Sequence, residues 1–415
     1  MFETRLQSDR LCDSIGLMKV LYGAFDAYPG RKGAQAHIRT NLRVLAARGG
    51  EATLLCLGTG GSFRDPDSGA MVHAFAADER NMLRRSELFG RFIAEKADSM
   101  AADPPAVIHV RDIWSGFPLL SHPLARGRGI VFEVNGLPSV ELPSRYPRLS
   151  GNGSLLARLR RMEDECLGRA DRVITISRRT AGYLAERGCN AGKIVVIPNA
   201  ADPPGPFTSR PEEIEHPEKA ACRGRKVILY AGTLSRWQGL HTLLEAAALL
   251  GHRRDFHLVV AASTGKGIHR LGKHAVARGL DDRLTVLGGV HHRAMTDLYT
   301  RAYLSAAPLA RGARNELQGC CPLKIVESMA CGTPVVASDL PAVRELIDSG
   351  SDGMLVSPGS SRALAFALEK LLDNGALRDR LARGAHDRAR RDFGTGLYAE
   401  RLCGVYDEVK GGNGQ

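Results

Sequence analysis

A lysine and a glutamate three residues apart, preceded by a glycine-containing loop and followed by a glycine-proline stop, make up the most chemically suggestive stretch of this 415-residue chain. It runs Gln318-Gly-Cys-Cys-Pro-Leu-Lys-Ile-Val-Glu-Ser-Met-Ala-Cys-Gly-Thr-Pro-Val-Val-Ala-Ser338 and reads as loop, helix, turn and strand. The spacing puts Lys324 and Glu327 on neighbouring positions of the first helical turns. A lysine there can neutralise a phosphate, and a glutamate there can accept hydrogen bonds from ribose hydroxyls. The plainer alternative is an ion pair on the surface of an ordinary helix. Gly332-Thr-Pro334 ends the helix, because glycine accepts the turn and proline cannot continue it.

Fewer signals come from elsewhere. Arg111 and Asp112 follow the apolar run Val107 to Val110, so they stand at the carboxyl end of a strand, where ligand contacts gather; a local ion pair in a loop is the other reading. Glu133, in Val131-Phe-Glu-Val-Asn-Gly136, is a candidate base or a structural strand residue. Lys266 in Thr264-Gly-Lys-Gly267 lacks the flanking residues of a phosphate-binding P-loop, which argues against an NTPase. Asp65-Pro-Asp67 has the form of a metal-binding pair but sits in a Gly, Ser and Pro-rich turn. The nine cysteines show no zinc-ligand spacing, and His291 and His292 have no supporting cluster, so no metal is expected.

The elements that must carry these residues are strands alternating with helices. Met18 to Tyr22, Ala52 to Leu57, Ala106 to Val110, Gly129 to Val134 and Arg172 to Ile176 read as buried strands. A glycine loop and a periodic helix from Ala36 to Arg48 follow the first of them. A second series comprises Val227 to Ala231, His257 to Ala261, Leu284 to Leu287, Leu304 to Ala307, Pro334 to Ala337 and Met354 to Val356, and the pattern is helical from Ala363 to Lys410. This is α/β, the rhythm of parallel doubly wound sheets, and the length favours two domains. We divide the chain into an extension at 1–17, an N-terminal domain at 18–200, a linker at 201–222, a C-terminal domain at 223–390 and a final helix and tail at 391–415. The apolar fraction of 44% and charged fraction of 25% exclude a disordered or collagen-like chain. No apolar run is long enough to span a bilayer and no secretory h-region precedes residue 17, so a cytoplasmic protein is expected. The net charge of +12 suits phosphorylated metabolites, anionic lipid or nucleic acid alike, and nothing beyond charge supports nucleic acid. Arginines at 84, 85 and 91 and at 158, 160 and 161 mark helix faces that are either solvated or apposed to an anionic membrane.

The block Cys321 to Ser338 resembles the signature of retaining family-4 glycosyltransferases of GT-B fold. Three further stretches agree in order: Pro29-Gly-Arg-Lys-Gly-Ala34 resembles the family's glycine loop, Arg172 to Ser177 with Lys193 to Asp202 resembles the end of its first domain, and Ala231-Gly-Thr-Leu-Ser-Arg-Trp-Gln-Gly239 resembles the phosphate loop opening its second. The resemblance implies two Rossmann-like domains facing across a cleft, with the C-terminal helix packing back toward the N-terminal domain. It implies donor binding by Gly33, Gly232, Gln238, Gly239, Val290, Gly319, Pro322, Leu323 and Glu327, and acceptor-side contacts by Arg111, Asp112 and Glu133.

Several positions depart from the family's pattern. Its paired glutamates map to Gly319 and Glu327, with Glu316 a substitute for the first if the loop bulges. Its basic pair maps to Thr233 and Gln238, so the charge facing a diphosphate is assigned to Lys324, with Arg236 and Arg311 behind it. Its catalytic histidine maps to Asn135, which hydrogen-bonds a hydroxyl but exchanges no proton near neutrality. The implied activity is metal-independent, cofactor-free retaining transfer of a sugar from a nucleotide-diphosphate donor to a glycan, lipid-linked or small-molecule hydroxyl, with the departing phosphate helping to deprotonate the acceptor. Lys324, Asn135 and Arg236 are the expected catalytic residues. A nucleotide-sugar epimerase and a nucleotide-sugar-binding protein without catalysis are the alternatives.

Overall fold

A computed structural model describes residues 18–30, 33–76, 78–204, 222, 224–262, 267–290 and 292–411. The extension before Met18, Arg31 and Lys32 of the glycine loop, most of the linker, Lys266 and His291 lie outside the described residues.

The first sheet has eight strands: β1 Lys19–Ala27, β2 Glu51–Leu57, β3 Gly61–Arg64, β4 Met71–Phe75, β5 Val107–Val110, β6 Gly129–Val134, β7 Arg172–Thr175 and β8 Ile194–Val196. Their order is β3-β4-β2-β1-β5-β6-β7-β8, all parallel except β3 against β4. The second has six parallel strands: β9 Lys226–Gly232, β10 Phe256–Ala262, β11 Leu284–Gly288, β12 Leu304–Ala307, β13 Val335–Ser338 and β14 Met354–Val356, in the order β11-β10-β9-β12-β13-β14. Central strands are buried on both faces, which is why β5, β6, β10 and β12 are buried at every position and show no polar alternation, His109, Glu133 and His257 being the exceptions to their apolar or small-residue runs.

Each sheet reverses its winding once, between β1 and β5 in the first and between β9 and β12 in the second. Ligands of doubly wound folds sit outside the carboxyl ends of the strands at such points. The loops after β1, β5 and β6 and those after β9, β11 and β12 meet there around one cavity.

The helix Thr395–Gly411 follows the C-terminal domain in sequence but packs on the first sheet. Tyr398, Leu402, Tyr406 and Val409 join the cluster of Val20, Tyr22, Ile38, Leu42 and Val131, each nearly inaccessible. At about 1.5–3 kcal/mol per large apolar side chain buried, this strap holds the two domains' chains together independently of any ligand. Further contacts cross the interface. Glu345 accepts from the backbone N–H groups of Arg178 and Arg179 at 2.7 and 2.8 Å, capping the helix Arg178–Glu186 from the opposite domain, and Gln318 Oε1 accepts from Leu137 N at 2.8 Å.

Candidate functional site

The cavity between the domains measures about 390 Å3. On the C-terminal side it is lined by Gly232, Thr233, Gln238, Val290, Pro322, Leu323, Lys324 and Glu327, and on the N-terminal side by Gly33, His37, Arg111 and Asn135. Residues spread over the whole chain thus converge, with the sequence-assigned Lys324 and Glu327 both on one wall.

The helix Leu323–Ala330 starts at Pro322, and among its described contacts no side chain caps its first N–H groups. A helix end so arranged is a ready anion site. Lys324 is 9% exposed; its ammonium donates to Gln238 Oε1 at 2.5 Å and stands 4.3 Å from the centroid of the Tyr230 ring. Nζ would lie only 2.9 Å from a side chain at Gly232. Lys324 therefore reaches the place that Thr233 and Gln238 leave uncharged, and its partners, a neutral amide and a ring face, leave its positive charge uncompensated. Burial lowers its pKa to about 7. Glu327, one helical turn on, is partly open to the cavity, and burial raises it to about 7, with the Tyr299 hydroxyl drawing it back down. The two are not an ion pair on a solvated helix. An anion entering here would restore the lysine's charge.

Several expected residues stand elsewhere. Arg236 is exposed on a short 3-10 turn, Arg236–Gln238, and outside the cavity lining. Its position follows from Gly239, whose backbone is left-handed at φ 70° and would put a side chain 1.7 Å from Pro308 O; the chain turns tightly there, burying Gln238 and throwing Arg236 outward. Gly239 itself serves the turn and does not line the cavity. Arg311 is exposed and pairs with Glu316 at 2.8 Å, and Glu316 also accepts from Gly312 N, so it does not stand in for a sugar-binding acid. Gly319 has φ 86° and faces the N-terminal domain: a Cβ there would lie 2.9 Å from Ser177 Oγ and 3.1 Å from Arg179 Cβ. That position forms the interdomain contact and not the cavity wall.

On the N-terminal side Asp112 also leaves the site. It caps the helix Ile113–Ser121, accepting from Ser115 N at 2.8 Å and Phe25 N at 2.6 Å, and burial raises its pKa to about 6. Glu133 lies behind the wall, 1% exposed. Its Oε1 stands 2.6 Å from His37 Nε2, 3.7 Å from Arg111 Nε, and accepts from Asn135 Nδ2; its Oε2 accepts from Asn41 Nδ2 at 3.2 Å and Tyr22 at 3.3 Å and stands 3.3 Å from His109 Nε2. Burial opposes its ionisation, yet His37, His109 and Arg111 hold it well below the usual carboxylate range. Arg111, which lines the cavity, also pairs with Asp26.

Arg314 and His37 were not anticipated from the sequence. Arg314 lies in a π-helical turn, Arg314–Gln318, stacks 3.8 Å over the Trp237 ring and bonds Glu141 of the other domain at 2.8 Å. Such turns are rare and frequent at functional sites. His37 sits four residues after Gly33 on the helix Gly33–Ala47, the spacing that returns a side chain to the same face.

A cleft formed by two Rossmann-like domains, with an anion-seeking helix end on one wall, defines the GT-B class of protein. The comparisons agree. Residues 31–203 match the family described as Glycosyltransferase Family 4, and residues 211–388 match Glycosyl transferases group 1. The chain belongs to the family-4 glycosyltransferases. It is similar, at 32% identity over 193 residues, to the alpha-D-kanosaminyltransferase of Streptomyces kanamyceticus, covering 46% of this chain and 48% of that protein, so the match spans about half of the relative's length. Its fold superposes on the sucrose-phosphate synthase of Thermosynechococcus elongatus with a TM-score of 0.77 at 19% identity, covering 95% of this chain and 100% of that one. Anabaena HepE, solved in complex with UDP-glucose, gives 0.72 at 18% identity, covering 94% and 100%.

Proposed function

We propose that this chain transfers a glycosyl group from a nucleoside-diphosphate sugar to a hydroxyl acceptor, with retention at the anomeric carbon. The carrying observation is the wall on which Lys324, charge-uncompensated and beside the open end of the helix Leu323–Ala330, shares one cavity with Glu327. In this reading the diphosphate sits against Lys324 and the helix N–H groups, which stabilise the negative charge that develops as the sugar leaves. Glu327 accepts from the ribose hydroxyls. The charge comes from the protein itself, and the reading calls for no metal.

UDP-glucose, bound by the structurally similar HepE, is the first donor to test. In a thermal-shift screen of nucleotide sugars at least one donor raises Tm and is then consumed with release of its nucleoside diphosphate. No shift with any donor would end this reading. A binding protein without turnover is the second reading, favoured by Asn135 in the place of the family's histidine and by Gly319 turned away from the cavity; a thermal shift without nucleotide release, across an acceptor panel, would select it. Release of a changed nucleotide sugar with no acceptor present would select an epimerase.

The acceptor side also carries exposed Arg145, Tyr146 and Arg148, followed by exposed Arg158, Arg160 and Arg161 on the helix Gly153–Arg169. These features support an acceptor presented at an anionic membrane surface on the cytoplasmic side. Among the described residues no helix is long and apolar enough to cross a membrane, and the cysteines described are free thiols.

A further inference from the structure

Lys324 is not the sole cation on its wall. Three lysines or arginines line the cavity among the described residues: Arg111, Arg314 and Lys324. Arg111 belongs to the opposite domain and is already paired with Asp26 and, at 3.7 Å, with Glu133. Arg314 shares a wall with Lys324. Its guanidinium lies 3.8 Å over the Trp237 ring, and the next residue, Gln238, accepts from the Lys324 ammonium at 2.5 Å, so consecutive residues of one turn carry the two cations. Asn315 fixes that arrangement: its Nδ2 donates to Trp237 O at 3.1 Å and to Ala310 O at 2.7 Å, clamping the π-helical turn onto the loop. Cys320, between the two cations in sequence and part of the cavity lining, feels both: burial raises its thiol to about 11, and Arg314 and Lys324 each draw it back down.

One carboxylate partners Arg314. Its Nε donates to Glu141 Oε1 of the opposite domain at 2.8 Å, while Nη1, buried, finds no hydrogen-bond partner among the described residues. The Glu141 side chain is 34% exposed and that of Arg314 18%, so water screens the pair and its net worth is small. A diphosphate carries more than one negative charge and matches the guanidinium fork with pairs of oxygens, which a carboxylate held at a single nitrogen does not. Resting on the donor reading, we propose that Arg314 binds the diphosphate beside Lys324, and that Glu141 is the carboxylate the diphosphate displaces from it. The positions left uncharged at Thr233 and Gln238 are then made good by two cations from one loop and helix. Because the Arg314–Glu141 pair crosses the domains, donor binding withdraws one interdomain contact, while those of Gln318 with Leu137 and of Glu345 with Arg178 remain.

The test compares two variants of the full chain in which the ion pair is broken alike. Glu141→Gln keeps the side chain's shape and drops its charge; the double variant, Glu141→Gln with Arg314→Met, also removes the cation while an unbranched chain still covers Trp237. UDP is the probe, or the nucleoside diphosphate of whichever donor the thermal-shift screen selects, and Kd is read by calorimetry. Glu141→Gln should bind UDP at least as tightly as wild type, because the competing charge is gone. The double variant should bind it about 30-fold more weakly than Glu141→Gln, the loss of one charge-assisted contact. Uridine, which has no phosphate, should bind both alike. UDP affinities within about threefold of each other in the two variants, or a Glu141→Gln affinity below that of wild type, make the pair a domain latch and overturn the proposal. A loss on uridine as large as that on UDP places Arg314 against the nucleoside and also overturns it. Wild-type protein that binds no nucleoside diphosphate ends the donor reading and this role with it; wild-type binding with no difference between the variants ends this role alone.

Discussion

The two walls of the cavity are built in opposite ways. The wall that the proposed function gives to the donor is local: Pro322, Leu323, Lys324 and Glu327 come from one loop and helix, and Gly232 and Gln238 from one neighbouring turn. The acceptor wall is distributed: His37, Arg111 and Asn135 come from three segments and are tied through Glu133 to Tyr398 and Tyr406 at the far end of the chain. The first wall holds Lys324 against a neutral amide and a ring face, where an anion would suit it; the second ties Glu133 to His37, His109 and Arg111 within the protein itself. Binding energy and folding energy are thus lodged on opposite sides of one cleft.

Substitutions should separate the two. Glu133→Ala leaves His37, His109, Arg111, Asn41 and Tyr22 facing an empty place, and breaking a buried charge cluster by removing one partner costs about 3–5 kcal/mol. Denaturant unfolding should register that loss while the folded fraction keeps its donor affinity. A parallel loss of donor affinity would mean that the walls are coupled. Lys324→Ala should do the reverse. The ammonium is buried with its pKa lowered from 10.5 to about 7, so at neutral pH the fold disfavours its charged form and its removal relieves that cost. Stability should hold or rise, while kcat/KM falls by about 2–4 kcal/mol of transition-state stabilisation. Lower stability with unchanged kcat/KM would reverse the assignment.

The same contrast explains what the sequence discloses. That Lys324 and Glu327 share one wall was legible because one contiguous stretch carries them at helical spacing. The strands too were legible from apolar runs, with Val227 to Ala231 inside β9 and Ala52 to Leu57 inside β2. Arg236 was misplaced because a positive charge in a phosphate-loop stretch says nothing of side-chain direction, and the left-handed turn at Gly239 points it at solvent. Asp112 was misplaced because an acid at a strand's end is equally a helix cap. His37 and Arg314 were missed because their meaning lies in partners 96 and 173 residues away, Glu133 and Glu141, that no local pattern links to them. A His four residues past a glycine-loop residue was the available signal for the first.

Gly319 tests whether the family's missing acid can be restored. Gly319→Glu places a side chain on backbone at φ 86° and against Ser177 and Arg179, so strain of about 1–3 kcal/mol is expected, together with a loosened domain contact. Turnover should not increase. An increase would mean that the loop at 311–321 rearranges in the working enzyme and that the donor wall extends further than its present lining.

The smallest effect is the pH dependence of donor binding, and it bears on the donor wall alone. Lys324, lowered to about 7, loses its charge as pH rises through 7, while Glu327, raised to about 7, gains its charge over the same interval. A diphosphate requires the first group charged, and ribose hydroxyls are best accepted by the second when ionised. Affinity should therefore peak near neutrality and fall roughly threefold one pH unit to either side. Lys324→Arg should abolish the alkaline limb, because guanidinium stays charged, and Glu327→Gln the acid limb, because the amide does not titrate. Glu133, held well below the usual carboxylate range, should leave no trace in the profile. If the acid limb survives in Glu327→Gln, a group on the acceptor wall is titrating, and the separation of the two walls fails at its most sensitive point.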